Sequence, residues 1–208
     1  SEEEINYLTK HLKSLFPELK ELNIKSKWAG GRPLLKPKNS KKSSQIVREH
    51  EIEVLPCGLI SAMGGKWTTC RKIALDAITA IESVLGKKLP TAKSFALIGA
   101  AKDSSATKKL LDQQSYKLRD KLPKTNLVEK QILHLQSKYG LNALQIVEGS
   151  TEKQLEPLSS IIPICTAEII QDINHEHAKT ANDILARRNR LSMVNLEEAE
   201  KLLPIVQE

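Results

Sequence analysis

The fold is decided by the stretch Leu59-Ile60-Ser61-Ala62-Met63-Gly64-Gly65-Lys66-Trp67-Thr68-Thr69-Cys70-Arg71-Lys72. An apolar run enters a glycine pair, and a helical pattern follows Thr68 and Thr69, either of which could cap that helix with its side chain. Glycines let a backbone pass close to a ligand, and the first free N–H groups of a helix bind anions. The stretch therefore predicts a strand that turns directly into a helix. The turn is either an ordinary connection or a junction that contacts a cofactor.

The residues around this stretch predict a hairpin and two flanking helices. Residues 45–54 alternate like a strand, and residues 59–63 form its antiparallel partner after the turn at 56–58. The helix after Thr69 ends at Gly86, and Lys87–Thr91 forms the predicted domain boundary. An N-terminal helix with a Ser1–Glu4 capping box precedes a short strand over residues 22–29.

The remaining sequence predicts helices only. The predicted segments cover 104–120, 126–139 from an Asn126–Glu129 cap, 143–148 and a Thr151–Gln154 capping box. One long helix is predicted to begin after Thr166, with Arg187, Arg188 and Arg190 at its C-terminal end, and a last helix begins at Asn195. The predicted fold class is an α+β fragment followed by an all-α helical domain. The predicted division is a domain over 1–90 and a domain over 91–208.

Positive charge is concentrated in the first part of the chain. The 208 residues carry a net charge of +7. Six basic residues occur with no acid between them: Arg32, Lys36, Lys38, Lys41, Lys42 and Arg48. An anionic partner is expected, and anionic lipid or a phosphorylated metabolite fits. Nucleic acid is disfavoured because no aromatic residues interleave with the basic ones. The Lys-rich loop 36–42 could steer a substrate, contact a membrane or only keep the protein soluble.

Several kinds of site are excluded or disfavoured by the sequence. GxGxxG is absent, so a full dinucleotide-binding unit cannot lie within these residues. His175 and His177 are two apart, which points them to opposite sides of a helix, and no metal site is predicted. The remaining histidines, His11, His50 and His134, are isolated. The three cysteines are expected to be free packing thiols in a reducing compartment.

Two ordered blocks carry a resemblance to a known family. The first is Trp28-Ala29-Gly30-Gly31-Arg32-Pro33-Leu34, then Arg48, then Gly64 to Lys72. The second is Ala178-Lys179-Thr180-Ala181-Asn182-Asp183-Ile184-Leu185-Ala186-Arg187-Arg188-Asn189-Arg190-Leu191. Together they closely resemble the C-terminal portion of the FAD-dependent glycerol-3-phosphate dehydrogenases. The similarity spans nearly the whole chain, although residues 91–160 match weakly.

The resemblance implies roles for individual residues. Arg32 and Arg48 would bind the phosphate of glycerol 3-phosphate, and Lys66 would face the substrate beside the flavin, so that Lys66 and Arg32 are the catalytic candidates. The implied FAD-binding residues are Gly64, Gly65, Lys66, Trp67 and Thr68. Hydride transfer from substrate C2 to flavin N5 yields dihydroxyacetone phosphate, and a positive helix end stabilises the charge left near flavin N1. The family usually has an aromatic residue at Cys70 and an aliphatic one at Gly31.

The resemblance also implies partners and a location. Electrons would pass to quinone, and the enzyme would associate peripherally with a membrane, at the bacterial cytoplasmic face or the mitochondrial inner membrane, with a homodimer possible. The upstream flavin domain would be missing, so these residues alone would not turn over. The alternatives are a glycerol-3-phosphate oxidase that reduces oxygen and a basic helical binding or interaction module.

Overall fold

The structure is a computed structural model that describes residues 1–31, 50–91, 93 and 95–207. The chain divides into two compact units. The helical unit comprises Ser1–Trp28 and Phe95–Glu208, and the hairpin unit comprises Ala29–Ser94. The N-terminal residues thus contact the C-terminal helices, whereas the predicted division groups them with residues 29–90. The predicted boundary after residue 90 itself stays a prediction.

The helical unit is built from short helices. They are α1 (Glu2–Leu15), α3 (Thr107–Lys121), α4 (Val128–Tyr139), α5 (Ala143–Glu148), α6 (Glu152–Leu155), α7 (Thr166–His175), a π-helix (Asp183–Arg188), α8 (Leu191–Val194) and α9 (Leu196–Gln207). The predicted capping boxes at Ser1 and Thr151 are confirmed. The Asn126 cap is wrong, because Leu127 occupies the N-cap position of α4 and the Thr125 hydroxyl accepts its N–H.

The predicted strand over residues 22–29 is also wrong. These residues form no regular element in the described chain. Their partners are helix ends: the Lys25 carbonyl accepts the Leu196 N–H at 3.1 Å, and the Ser26 hydroxyl donates to the Ser192 carbonyl. Strand propensity depends on a neighbouring strand, and here the neighbour is a turn between two helices.

The predicted long helix is divided in two. α7 ends at His175, where the Asp172 carbonyl accepts the N–H groups of both Glu176 and Ala178. His177 follows with a positive φ of 56°. The chain becomes helical again where the Asp183 carboxylate accepts the N–H of Thr180. This Thr180–Asp183 cap therefore lies inside the segment that apolar spacing alone predicts to be one helix.

The core lies wholly in the helical unit among the described residues. Its largest cluster joins α3, α4 and α5 through side chains that include Leu118, Leu122, Ile132, Leu135 and Val147. A second cluster joins the C-terminal helices through Ile164, Leu185, Leu191 and Leu202. These residues are mainly aliphatic, in keeping with a chain whose aromatic content is 3%.

The described residues of the hairpin unit form a two-stranded antiparallel sheet and one long helix. Strand β1 (His50–Val54) pairs with β2 (Ile60–Gly64), and His50 lies opposite Gly64. A 3₁₀ turn (Trp67–Thr69) then leads into α2 (Cys70–Leu85), which ends at Gly86 with φ 63°. The predicted hairpin is confirmed from residue 50 onward, and so is the helix after Thr69. Residues 45–49 of the first predicted strand lie outside the described residues. The described residues of the whole chain are mostly helical, with this single small sheet.

Candidate functional site

The glycine pair allows β2 to turn directly into α2. Gly64 and Gly65 have φ of 71° and 85°, values that side chains rarely permit. A Cβ on Gly65 would lie 2.6 Å from Cδ1 of Ile73 and 3.2 Å from Cβ of His50. Gly65 is therefore required both for its backbone conformation and for the close approach of α2 to the end of the hairpin.

The turn after the glycine pair is closed by Thr69. Its hydroxyl donates to the Lys66 carbonyl at 3.0 Å and accepts the Lys66 N–H at 3.4 Å. Thr69 occupies the N-cap position of α2, but its side chain makes no cap hydrogen bond. The prediction that Thr68 or Thr69 caps the helix by its side chain is therefore wrong for Thr69. The threonine instead shapes the 3₁₀ turn.

The face that this turn presents is aromatic and basic. The Trp67 side chain is 88% exposed, and Lys66 and Thr68 beside it are also exposed. Arg71 and Lys72 add positive charge in the first turn of α2. The first N–H groups of a helix have no carbonyl partner, so this end also carries a partial positive charge. The junction can therefore hold a flat ring together with negative charge.

An ion pair with partly buried partners joins the start of β1 to α2. Nε2 of His50 is 2.7 Å from Oδ2 of Asp76, and Nζ of Lys72 is 2.6 Å from Oδ1 of Asp76. The hydrogen bonds from Lys72 and then from His50 lower the pKa of Asp76. The sequence prediction of His50 as an isolated histidine is therefore wrong. No sequence signal links the two residues, because they lie 26 positions apart on different elements.

The predicted site residues divide into two groups. Gly64, Gly65, Lys66, Trp67 and Thr68 form one continuous junction, in which Gly65 is half-buried and the other four residues are exposed. Arg32 and Arg48 lie outside the described residues. An exposed indole, an ammonium group and free N–H groups fit the ring of a flavin and its negative charge. The functional roles of all seven residues remain predictions.

The helical unit contains a second polar cluster, which is buried. Nζ of Lys138 lies 2.8 Å from Oδ1 of Asp172 and 3.0 Å from Oδ1 of Asn189. His134 contacts the buried carboxylate of Glu168 at 2.8 Å. Burial raises the pKa of Asp172, although the Lys138 ammonium opposes the shift. The cluster joins α4, α7 and the end of the π-helix, so we interpret it as structural.

Two further properties concern the described residues alone. No group of three or more His, Cys, Asp or Glu side chains there is arranged to hold a metal ion. None of the helices in the described ranges is both long enough and apolar enough to cross a membrane. The cysteines differ in surroundings, since Cys165 is buried while Cys57 and Cys70 are exposed. The prediction that all three are packing residues is therefore wrong for these two.

The sequence matches a known family over more than half its length. The family described as the C-terminal domain of alpha-glycerophosphate oxidase matches residues 90–208. The chain belongs to this family, that of the glycerol-3-phosphate oxidases and dehydrogenases. The family resemblance predicted from the two sequence blocks is confirmed.

Individual relatives extend the similarity to the first 89 residues. The mitochondrial glycerol-3-phosphate dehydrogenases of Bos taurus and Homo sapiens are each 29% identical over 218 residues, covering 100% of this chain and 29% of the relative. A probable mitochondrial glycerol-3-phosphate dehydrogenase of Dictyostelium discoideum is 30% identical over 191 residues, covering 85% of this chain and 28% of the relative. The chain thus spans less than a third of the length of these relatives.

Proposed function

We propose that this chain supplies the C-terminal part of an FAD-dependent glycerol-3-phosphate dehydrogenase, with residues 1–90 completing its substrate and flavin domain and residues 91–208 forming an all-α domain. The observation that carries the proposal is the junction from Gly64 to Thr68. Its exposed residues lie at the start of a helix in a chain that belongs to the glycerol-3-phosphate oxidase and dehydrogenase family.

The proposed chemistry assigns each group a task. When bound, FAD supplies the hydride acceptor for oxidation of the C2 alcohol of glycerol 3-phosphate to a ketone. The Lys66 ammonium and the N–H groups that open the 3₁₀ turn stabilise negative charge beside them. Arg32 and Arg48 bind the phosphate, since a guanidinium pairs with phosphate through two parallel hydrogen bonds. Trp67 covers the ring with its exposed indole.

Exposed apolar side chains support the view that the hairpin unit acts as part of a larger enzyme. No described residue of the unit is buried, and its exposed apolar side chains include Leu59, Trp67, Leu75 and Leu85. Apolar surface of this kind marks a face that contacts other structure. We therefore expect these 208 residues, prepared alone, to be colourless and inactive.

The test uses the intact parent chain purified with flavin bound. Glycerol 3-phosphate is added without oxygen, and the visible flavin band is followed. We expect rapid bleaching, slowed by about 10²-fold in Lys66→Ala because a charge-stabilising group is lost. Arg32→Ala should chiefly raise KM, since it removes a phosphate ligand.

The matched control is Lys87→Ala, which removes an exposed lysine of the same unit just after α2. It should leave the bleaching rate unchanged. A flavin-replete enzyme that glycerol 3-phosphate does not bleach would remove the substrate assignment. Failure of the intact chain to hold flavin would favour the basic binding module instead.

The electron acceptor separates two versions of the proposal. Quinone is the acceptor that the resemblance implies, whereas the matching family is described by an oxidase. Both versions share the reductive half-reaction at this junction. Peroxide formed in step with glycerol 3-phosphate consumption would favour the oxidase, and reduction of a soluble quinone without peroxide would favour the dehydrogenase.

The proposed location follows the relatives. Those of Bos taurus and Homo sapiens are named as mitochondrial, so we propose a mitochondrial enzyme associated peripherally with the inner membrane. Sedimentation of the intact chain with anionic vesicles at low and high salt tests this association. A homodimer is part of the same proposal, and the measured mass of the intact enzyme in solution decides it.

A further inference from the structure

His50 lies where the hairpin meets the glycine pair. It is the first residue of β1 and pairs with Gly64, the last residue of β2. Its Cβ is 3.2 Å from the position that a Cβ on Gly65 would occupy. The histidine therefore contacts the backbone immediately before Lys66.

Asp76 joins this histidine to α2. One carboxylate oxygen contacts His50 Nε2 at 2.7 Å, and the other contacts Lys72 Nζ at 2.6 Å. Lys72 lies one helical turn before Asp76, so this pair is formed within α2 itself. Because both oxygens are engaged, the carboxylate has a defined orientation, and it fixes the imidazole in turn. The result is a side-chain bridge from the end of the hairpin to the helix.

The bridge matters because little packing can replace it. None of the described residues of the hairpin unit is buried. In a close-packed core many contacts fix the distance between a strand and a helix. Here the junction is held by Ile73 against Gly65 and by the His50–Asp76 hydrogen bond. Loss of the hydrogen bond should let the strand end move relative to the helix.

We propose that His50 is a positioning residue for the reaction at this junction. Through Asp76 it fixes the hairpin to α2, and so holds Lys66 and the N–H groups of the 3₁₀ turn at a set distance from the reacting atoms. The inference rests on the proposed function. Its energetic basis is that a misplacement of about 1 Å can cost about 10²-fold in rate.

The test compares three variants of the intact holoenzyme. His50→Ala removes the bridge, and Asp76→Asn keeps an acceptor for the imidazole but loses the charge. Lys88→Met is the control, because it removes an exposed lysine that pairs with Glu82 at the other end of α2 and leaves the bridge in place. The measured quantity is the rate of anaerobic flavin reduction per bound flavin at saturating glycerol 3-phosphate. We expect a fall of about tenfold or more in His50→Ala, a smaller fall in Asp76→Asn and a change within about twofold in Lys88→Met. KM should change little.

A second measurement needs neither substrate nor flavin. Hydrogen exchange of a peptide covering residues 64–69 should be faster in His50→Ala than in wild type, and unchanged in Lys88→Met. If wild type holds flavin but is not reduced, the proposed function fails while the exchange data still decide the inference.

Two results would overturn the inference. One is an unchanged rate per bound flavin together with unchanged exchange at the junction. The other is a loss of flavin content with a normal rate per remaining flavin, which would indicate only a structural role. If His50→Ala does not fold, Asp76→Asn decides by the same two measurements.

Discussion

The two units of this chain differ in how they are held together. The helical unit buries Leu118, Leu135, Ile164 and Leu191 completely. Among its described residues the hairpin unit buries none and exposes large side chains such as Trp67 and Leu85. The two also differ in their polar contacts, which are enclosed around Asp172 in the helical unit and open to solvent around Asp76 in the hairpin unit.

This difference indicates a division of tasks. Burial of apolar area is the main favourable term in folding, so the helical unit has the means to be stable by itself. The hairpin unit has hydrogen bonds and short-range order but little burial. A site placed on such a unit depends on specific bridges and on neighbouring structure for its geometry. The three predictions below concern the 208-residue chain, and each would sharpen or break this comparison.

The largest expected difference is in thiol reactivity. Burial raises the pKa of the Cys165 thiol to about 12, whereas Cys57 and Cys70 are exposed. Because the thiolate is the reactive form, Cys165 should react at least about 10³-fold more slowly than either exposed thiol at pH 8. Labelling with a thiol reagent, read by mass spectrometry, should give two fast modifications and a third only on unfolding. Three fast modifications of the native chain would mean that the core of the helical unit is open.

The second prediction concerns two leucines of the same helix. Leu135 is fully buried on α4, while Leu133, two residues earlier, is 69% exposed. Leu135→Ala should lower the free energy of unfolding of the helical unit by about 3 kcal/mol, because it leaves a cavity in the core. Leu133→Ala should change it by less than about 0.5 kcal/mol. Urea denaturation followed by circular dichroism measures both, and equal effects would contradict the assigned core.

The smallest effect is a dependence of stability on pH. Hydrogen bonds from the Lys179 backbone and the Thr180 side chain lower the pKa of Asp183 to about 2. A carboxylate whose pKa is lower in the folded state stabilises above its unfolded pKa of about 3.9, and this contribution is lost as the pH falls toward about 2. Asp183→Asn should therefore be less stable than wild type at pH 6.

The difference in stability between the two proteins should shrink steadily as the pH falls to 2, because about half of the folded wild-type carboxylate is protonated at its pKa of about 2. Thermal unfolding between pH 2 and pH 6 measures the difference. Parallel curves over that range would show that the Asp183 cap is absent or makes no net contribution. The helix that follows α7 would then not be stabilised by a cap at its start.

Local signals in the sequence were enough for several elements. The capping boxes at Ser1 and Thr151 and the ends at Gly86 and Gly149 involve residues three or four positions apart, so their partners are visible in the sequence. The break after His175 was missed, although Thr180 and Asp183 carry a cap signal of the same kind. The apolar residues on both sides of the break keep a helical spacing, which predicts one continuous helix even though the Thr180–Asp183 pair indicates a new helix start.

In the candidate site, too, only features formed by residues close together in the sequence could be predicted. Two glycines, Lys66 and the threonines are contiguous, so the junction could be predicted with its helix. The contribution of Thr69 could not be predicted, because its hydroxyl donates to the Lys66 carbonyl and does not bond to the helix N–H groups. His50 and Asp76 have no sequence relation that predicts their contact. Their pairing exists only because the hairpin register brings the start of β1 beside α2.

The sequence by itself determined the family, the hairpin, the junction and most helix ends, because each depends on residues that are near one another in the chain. Only the tertiary structure decided that residues 1–28 belong to the same unit as the C-terminal helices, that Lys138 lies between Asp172 and Asn189, and that His50 is joined to α2. These contacts link residues from different elements. Their formation depends on how apolar faces pack, and a linear pattern does not contain that information.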